Sequence, residues 1–150
     1  GYISKVEEIE SDGSIYKDKN VEVIAFKNDH GDFENSFGFL FITKDKRILF
    51  SGDTGVSDNL MNYGENLDIL VHEVYSSETF KNKTDDWQIY HNAHHTSSID
   101  LGIIANKLKP KKLVLSHILF WGATEESLLD DVKSNFDGNA IIAKDLMVIR

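Results

Sequence analysis

The chain has no cysteine in its 150 residues. Disulfides and thiolate zinc sites are therefore excluded, and any zinc must take histidine and carboxylate ligands. No apolar run approaches membrane-spanning length. Positive charge is also short: 16 basic residues stand against 25 acidic ones, a formal net charge of -9. That balance disfavours nonspecific attachment to nucleic acid or to anionic membranes, which rests on phosphate neutralisation. A polyanionic substrate needs a local cation, and a bound divalent metal would supply one. No initiator methionine precedes Gly1-Tyr2-Ile3. The sequence accordingly reads as a processed product or a piece of a longer chain, with any targeting signal upstream. The compartment stays open, with the cytoplasm as the default.

What is present suffices for a core, with 41% hydrophobic and 11% aromatic residues in a length that fits a single domain, 1–150. Strands are predicted at 2–9, 14–17, 21–26, 36–43 and 47–51, with hairpin turns at Asp18-Lys19-Asn20 and Lys44-Asp45-Lys46. After Gly55 the texture changes. A helix at 56–63, a strand at 67–74, a helix at 99–108 ended by Pro110, a strand at 112–116, a helix at 124–135 and strands at 140–143 and 146–149 follow. Residues 76–92 are polar and without clear period, which predicts a long loop holding at most a helical turn. The fold class is α/β.

Ionisable residues fall at the strand ends. His30 follows the third strand, Asp53 follows Phe50-Ser51-Gly52, His72-Glu73 closes the strand from Leu67, and His117 closes Leu113-Val114-Leu115. Sites on α/β sheets gather there, because loops converge on one rigid edge. His91, His94 and His95 add three imidazoles within five positions, ahead of a helix start at Thr96-Ser97-Ser98. Each residue taken singly also has an ordinary reading. Asp53 and His30 suit turns, His117 suits a core hydrogen bond, and His72-Glu73 suits a buried pair.

In this order and spacing the motifs resemble the metallo-β-lactamase fold hydrolases, and within them the ribonuclease Z-like branch. The motifs are Ser51-Gly52-Asp53-Thr54, His30 before Phe37-Gly38-Phe39, Val71-His72-Glu73-Val74, His95-Thr96-Ser97 and Leu113-Val114-Leu115-Ser116-His117. The resemblance implies an αββα sandwich of which this chain is the C-terminal half, because the His-x-His-x-Asp-His signature is absent from it. It implies a metal-dependent hydrolase, probed first as a phosphodiesterase, with two divalent ions of zinc type and manganese or iron as alternatives. His30 would serve one ion, His117 the other, and Asp53 would bridge both. His95 would assist catalysis, held by Glu73. Alone the chain offers each ion too few ligands and is expected to be inactive, and the implied partner is the missing N-terminal half. Self-association is expected as well, since one sheet face would lack its cover. The segment after His117, Ile118-Leu119-Phe120-Trp121-Gly122, carries no cation, which with the net charge favours a small phosphodiester or other ester over a large nucleic acid. Phe120, Trp121 and Trp87 are candidates for an apolar pocket or for plain core. Two other readings stay open: a non-catalytic ligand-binding fragment, and a lactone, thioester, sulfate-ester or β-lactam hydrolase on the same fold.

Overall fold

The computed structural model describes residues 6–149. Seven strands form one sheet whose spatial order is the sequence order: β1 (Gly13–Lys17), β2 (Val21–Lys27), β3 (Phe37–Thr43), β4 (Arg47–Phe50), β5 (Ile69–Tyr75), β6 (Lys112–Leu119) and β7 (Ala140–Ile142). Pairing is antiparallel from β1 to β4 and parallel from β4 to β7. Connection length sets the switch. Short turns fold the first strands back on one another, whereas parallel neighbours require crossovers. These are α1 (Asp58–Tyr63) before β5, then α2 (Ser77–Phe80), α3 (Asp85–His94) and α4 (Ser98–Leu108) before β6, and α5 (Glu125–Lys133) before β7. The α/β class read from the sequence is the class observed.

Local chemistry fixes the helix ends. The Ser97 hydroxyl accepts the Asp100 N–H at 3.0 Å and the Thr124 hydroxyl accepts the Ser127 N–H at 3.1 Å, capping α4 and α5. Lys109 closes α4 in the left-handed region at φ 51°, and Pro110 forbids continuation.

Three expectations are corrected. Of the strand at 2–9, residues 2–5 lie outside the described residues and 6–9 are irregular. Residues 146–149 form no strand; β7 is the last strand of the sheet, and Leu146 and Val148 stand exposed. The stretch 76–92 is largely helical, forming α2 and most of α3. Its periodicity is unreadable because its polarity is inverted: α3 buries His91 and His94 and exposes Trp87, Ile89 and Tyr90. The three imidazoles thus end α3 as well as precede α4, whose N-cap is Ser97.

The hydrophobic core lies on one face of the sheet. Phe26, Leu40, Leu49, Leu70 and Leu113 pack with Leu60 of α1, Leu101 and Ile104 of α4, and Leu128 and Val132 of α5. The opposite face is apolar too, since strand side chains alternate. Val23 pairs with Phe41, Phe41 with Ile48, Phe39 with Phe50, and Phe50 with Val71. None of these joins the core cluster, and Phe50 is 42% exposed.

Leu70 is fully buried at the middle of the sheet. Leu70→Ala is expected to cost about 2–5 kcal/mol through lost burial and the cavity left behind, read as a lowered urea midpoint at an unchanged slope.

Candidate metal centre

Asp53 is delivered by a backbone geometry that only glycine accepts. Gly52 sits at φ +63°, and a Cβ there would stand 2.5 Å from the Phe37 carbonyl oxygen. Before it, the Ser51 N–H donates to the Val71 oxygen at 2.9 Å and the Asn28 side-chain amide donates to the Ser51 oxygen at 2.7 Å. The chain is held to β5 on one side and to the His30 loop on the other. That loop is tied further by the Asp29 N–H donating to the Thr54 hydroxyl at 3.2 Å and the Gly55 N–H donating to the Asp29 oxygen at 2.6 Å.

His117 does not close its strand, as the spacing suggested; β6 continues through it to Leu119. The register passes from Glu73–Ser116 to Val74–Ile118, so His117 is an inserted residue in a β-bulge, at φ 41°. Bulges re-aim a side chain out of the ladder. Here the imidazole leaves the sheet and brings Nε2 to 3.3 Å from Asp53 Oδ2. The one sequence signal for this is a phase slip. Leu113 and Leu115 pack in the core, and the next core contacts are Ile118 and Phe120 rather than residues 117 and 119.

His95 caps the C-terminus of α3, its N–H donating to the His91 oxygen at 2.8 Å. With Asp53 and His117 it forms a group whose ligand atoms all lie within 4.8 Å of one another. A carboxylate and two imidazoles are a donor set suited to zinc, manganese or iron. Ligands of a tetrahedral zinc stand about 3.4 Å apart at zinc–nitrogen distances of about 2.1 Å, and the Asp53–His117 separation of 3.3 Å matches that. These residues fit a metal.

His30 stands one ring away. Its ring centroid is 5.3 Å from that of His95, and it lies outside the three-residue group. Its Nδ1 is 2.7 Å from the His94 carbonyl oxygen. A carbonyl only accepts, so Nδ1 carries the proton and Nε2 keeps a lone pair for a ligand. His72 differs: it is fully buried within β5, with Nδ1 tied to the Glu73 oxygen at 2.7 Å, and burial lowers its pKa.

Glu73 is buried in β5 and gathers the site. Its Oε1 accepts the Thr96 N–H at 2.8 Å and the Thr54 N–H at 3.3 Å. His95 Nδ1 lies 3.4 Å from the same oxygen, an ion-pair distance whose angles fall short of a hydrogen bond. Burial by itself pushes the His95 pKa down. The Glu73 carboxylate and the Asp53 charge outweigh it, and the net shift is upward. The resemblance implied that His95 and Asp53 serve one site; the sequence pattern did not reveal that His91 would sit behind them with its ring 5.4 Å from that of His95.

No family model matches the chain. Over 142 residues it is 34% identical to ribonuclease Z of Bacillus velezensis, covering 91% of this chain and 43% of that protein. The metallo-β-lactamase fold protein YhfI from Bacillus subtilis superposes with a TM-score of 0.73 at 20% identity, over 91% of this chain and 52% of that one. The short form of human tRNase Z gives a TM-score of 0.65 at 21% identity, over 93% and 47%. The chain spans 31 to 43% of the first three ribonuclease Z sequences it matches.

The Glu73–His95 contact is testable in the metal-free chain. The His95 ring should titrate above the ordinary value of 6.5, and Glu73→Gln should lower it, read by NMR of the ring nitrogens. An unchanged titration in the variant would remove Glu73 as the cause. The stability that this contact contributes is full below pH 6.5 and is lost as pH rises through the raised value.

Proposed function

We propose that this chain, which has the metallo-β-lactamase fold and resembles ribonuclease Z in sequence, carries part of the active site of a metal-dependent hydrolase acting on phosphodiesters. The convergence of Asp53, His95 and His117 at one sheet edge carries this reading. A divalent ion bound there is a Lewis acid that lowers the pKa of water toward about 7 and neutralises charge on a phosphoryl oxygen. Asp53 and His117 would hold such an ion and His30 a second one, through the nitrogen that its contact with the His94 oxygen leaves free. His95 has Nδ1 against Glu73, which leaves Nε2 to face the substrate. Glu73 and Asp53 raise its pKa against the effect of burial, which favours the protonated form that would pass a proton to the leaving oxygen. Glu73 is a positioning residue, fixing His95 and the Asp53 loop together.

Two ions need more ligands than these residues supply, since catalytic zinc takes three from protein. In this reading a complementary half brings the rest and seats on the apolar face of Phe39, Phe41, Ile48 and Phe50. Charge supports a small phosphodiester over a large nucleic acid, because the chain is acidic overall.

In the protein that joins this chain to its complementary half, Asp53→Ala should abolish hydrolysis of bis(p-nitrophenyl) phosphate and cut the bound metal measured by elemental analysis. Retained turnover with full metal content would sink the assignment. A chromogenic panel of lactone, thioester, sulfate-ester and β-lactam substrates tests the ester class. The isolated chain, with mass 17.0 kDa, should self-associate in sedimentation experiments, and Phe41→Lys with Phe50→Lys should return it to monomer. A monomer at all concentrations without those changes would count against the docking face.

A further inference from the structure

We infer that His72 is a positioning residue for the metal centre: its ring N–H grips the Glu73–Val74 peptide, the bond at which the β5–β6 ladder skips His117, and so fixes the Glu73 carboxylate and the aim of His117 together. The inference deepens the hydrolase reading and rests on it only for what the positioned residues do.

Position 72 is built for another kind of residue. Strand side chains alternate, and Leu70 and Val74, two places to either side, are fully buried members of the core cluster. Across the ladder His72 is paired with Leu115, a further core residue. Leucine or valine at 72 would continue that stripe. The imidazole found there is fully buried, and its Nε2 has no hydrogen-bond partner. Such an atom weighs against stability. A polar ring in an apolar row, with one nitrogen unsatisfied, is a local rule set aside for what the other nitrogen does.

That other nitrogen, Nδ1, lies 2.7 Å from the Glu73 carbonyl oxygen. A carbonyl only accepts, so Nδ1 carries the proton. Burial keeps the ring neutral, pushing its pKa below the ordinary value against the opposing pull of Glu73. The peptide it grips lies where the sheet has little else to hold it. The last β4–β5 pair is Phe50 with Val71, so Glu73 stands past the end of β4. Side chains take over there: the Glu73 N–H donates to the Ser51 hydroxyl at 3.1 Å, and its carbonyl accepts from His72. On the β6 side the register passes from Glu73–Ser116 to Val74–Ile118 across this same peptide. The Ser116 hydroxyl donates to the His72 oxygen at 3.4 Å, which ties the residue before the bulge to the residue that holds the peptide.

From this peptide the effect reaches both sides of the site. The Glu73 carboxylate accepts the Thr54 and Thr96 N–H groups behind Asp53 and His95. His117 leaves β6 opposite it and comes to 3.3 Å from Asp53. His72 acts through these groups rather than on a substrate.

Amide hydrogen exchange in the metal-free chain tests this. Asparagine presents its Nδ2 donor where histidine has Nδ1, whereas leucine fills the space without a donor. His72→Leu should make the Thr54 and Thr96 amides exchange about tenfold faster, the factor that one hydrogen bond contributes. The core amides of Leu113 and Leu128, which donate to the Asn139 and Thr124 oxygens, should keep their protection. His72→Asn should leave all four slow. Unchanged exchange at Thr54 and Thr96 in His72→Leu overturns the proposal. So does fast exchange at these two amides in His72→Asn, which is the deciding variant if His72→Leu does not fold. In the protein joined to its complementary half, His72→Leu should lower kcat for bis(p-nitrophenyl) phosphate at an unchanged KM, with His72→Asn restoring it; full kcat in His72→Leu overturns the link to the site. Absence of turnover in the unaltered joined protein would instead sink the hydrolase reading and leave the exchange result standing.

Discussion

One buried carboxylate organises the site. Glu73 projects from the middle of the parallel half of the sheet and accepts backbone N–H groups from both sides, Thr54 behind Asp53 and Thr96 behind His95. A buried carboxylate is costly unless it is hydrogen-bonded, and the two N–H groups that Oε1 accepts are also what brings these two loops together, while Oε2 is left without a partner. The requirement therefore runs from electrostatics to geometry. Asp53 and His95 come from different segments of the chain, and Glu73 is a point that both share. The Thr96 hydroxyl donating to the Thr54 oxygen at 2.7 Å reinforces the same junction.

Much of this architecture was legible because local signals agreed with the global fold. The hairpin turns, the serine and threonine caps and the strand at Leu70 each have a short-range cause. Where reading failed, a local rule had been set aside. Helix α3 could not be seen from its pattern, because a helix that buries histidines and exposes tryptophan carries no conventional stripe. The irregular stretch at 6–9 and the missing strand at 146–149 failed differently. Both carry strand-forming residues, yet a strand exists only where a neighbouring edge accepts it, and residue types do not count edges.

For the site, residue types and their order were visible while partnership was not. Asp53 and His117 were marked by the strands before them. That His95 serves the same site was implied by the resemblance, but that His30 would stand a ring further off depends on where α3 ends, and the residue pattern carries no direct sign of that. The sheet itself has two apolar faces of different status: one is closed by α1, α4 and α5, and the other adjoins the metal group, with Phe39, Phe50 and Val71 lining the same hollow as Asp53 and His117.

The bulge at His117 gives the site an unusual kind of dependence. The imidazole is aimed by an arithmetic property of the strand, one residue more on β6 than on β5, and not by anything in its own chemistry. Removing His117 itself would let the ladder close into regular pairing, Glu73 with Ser116 and Val74 with Ile118. The same deletion would erase the metal group. Register thus sets the chemistry at the sheet edge as well as the packing of Leu113 and Leu115 in the core.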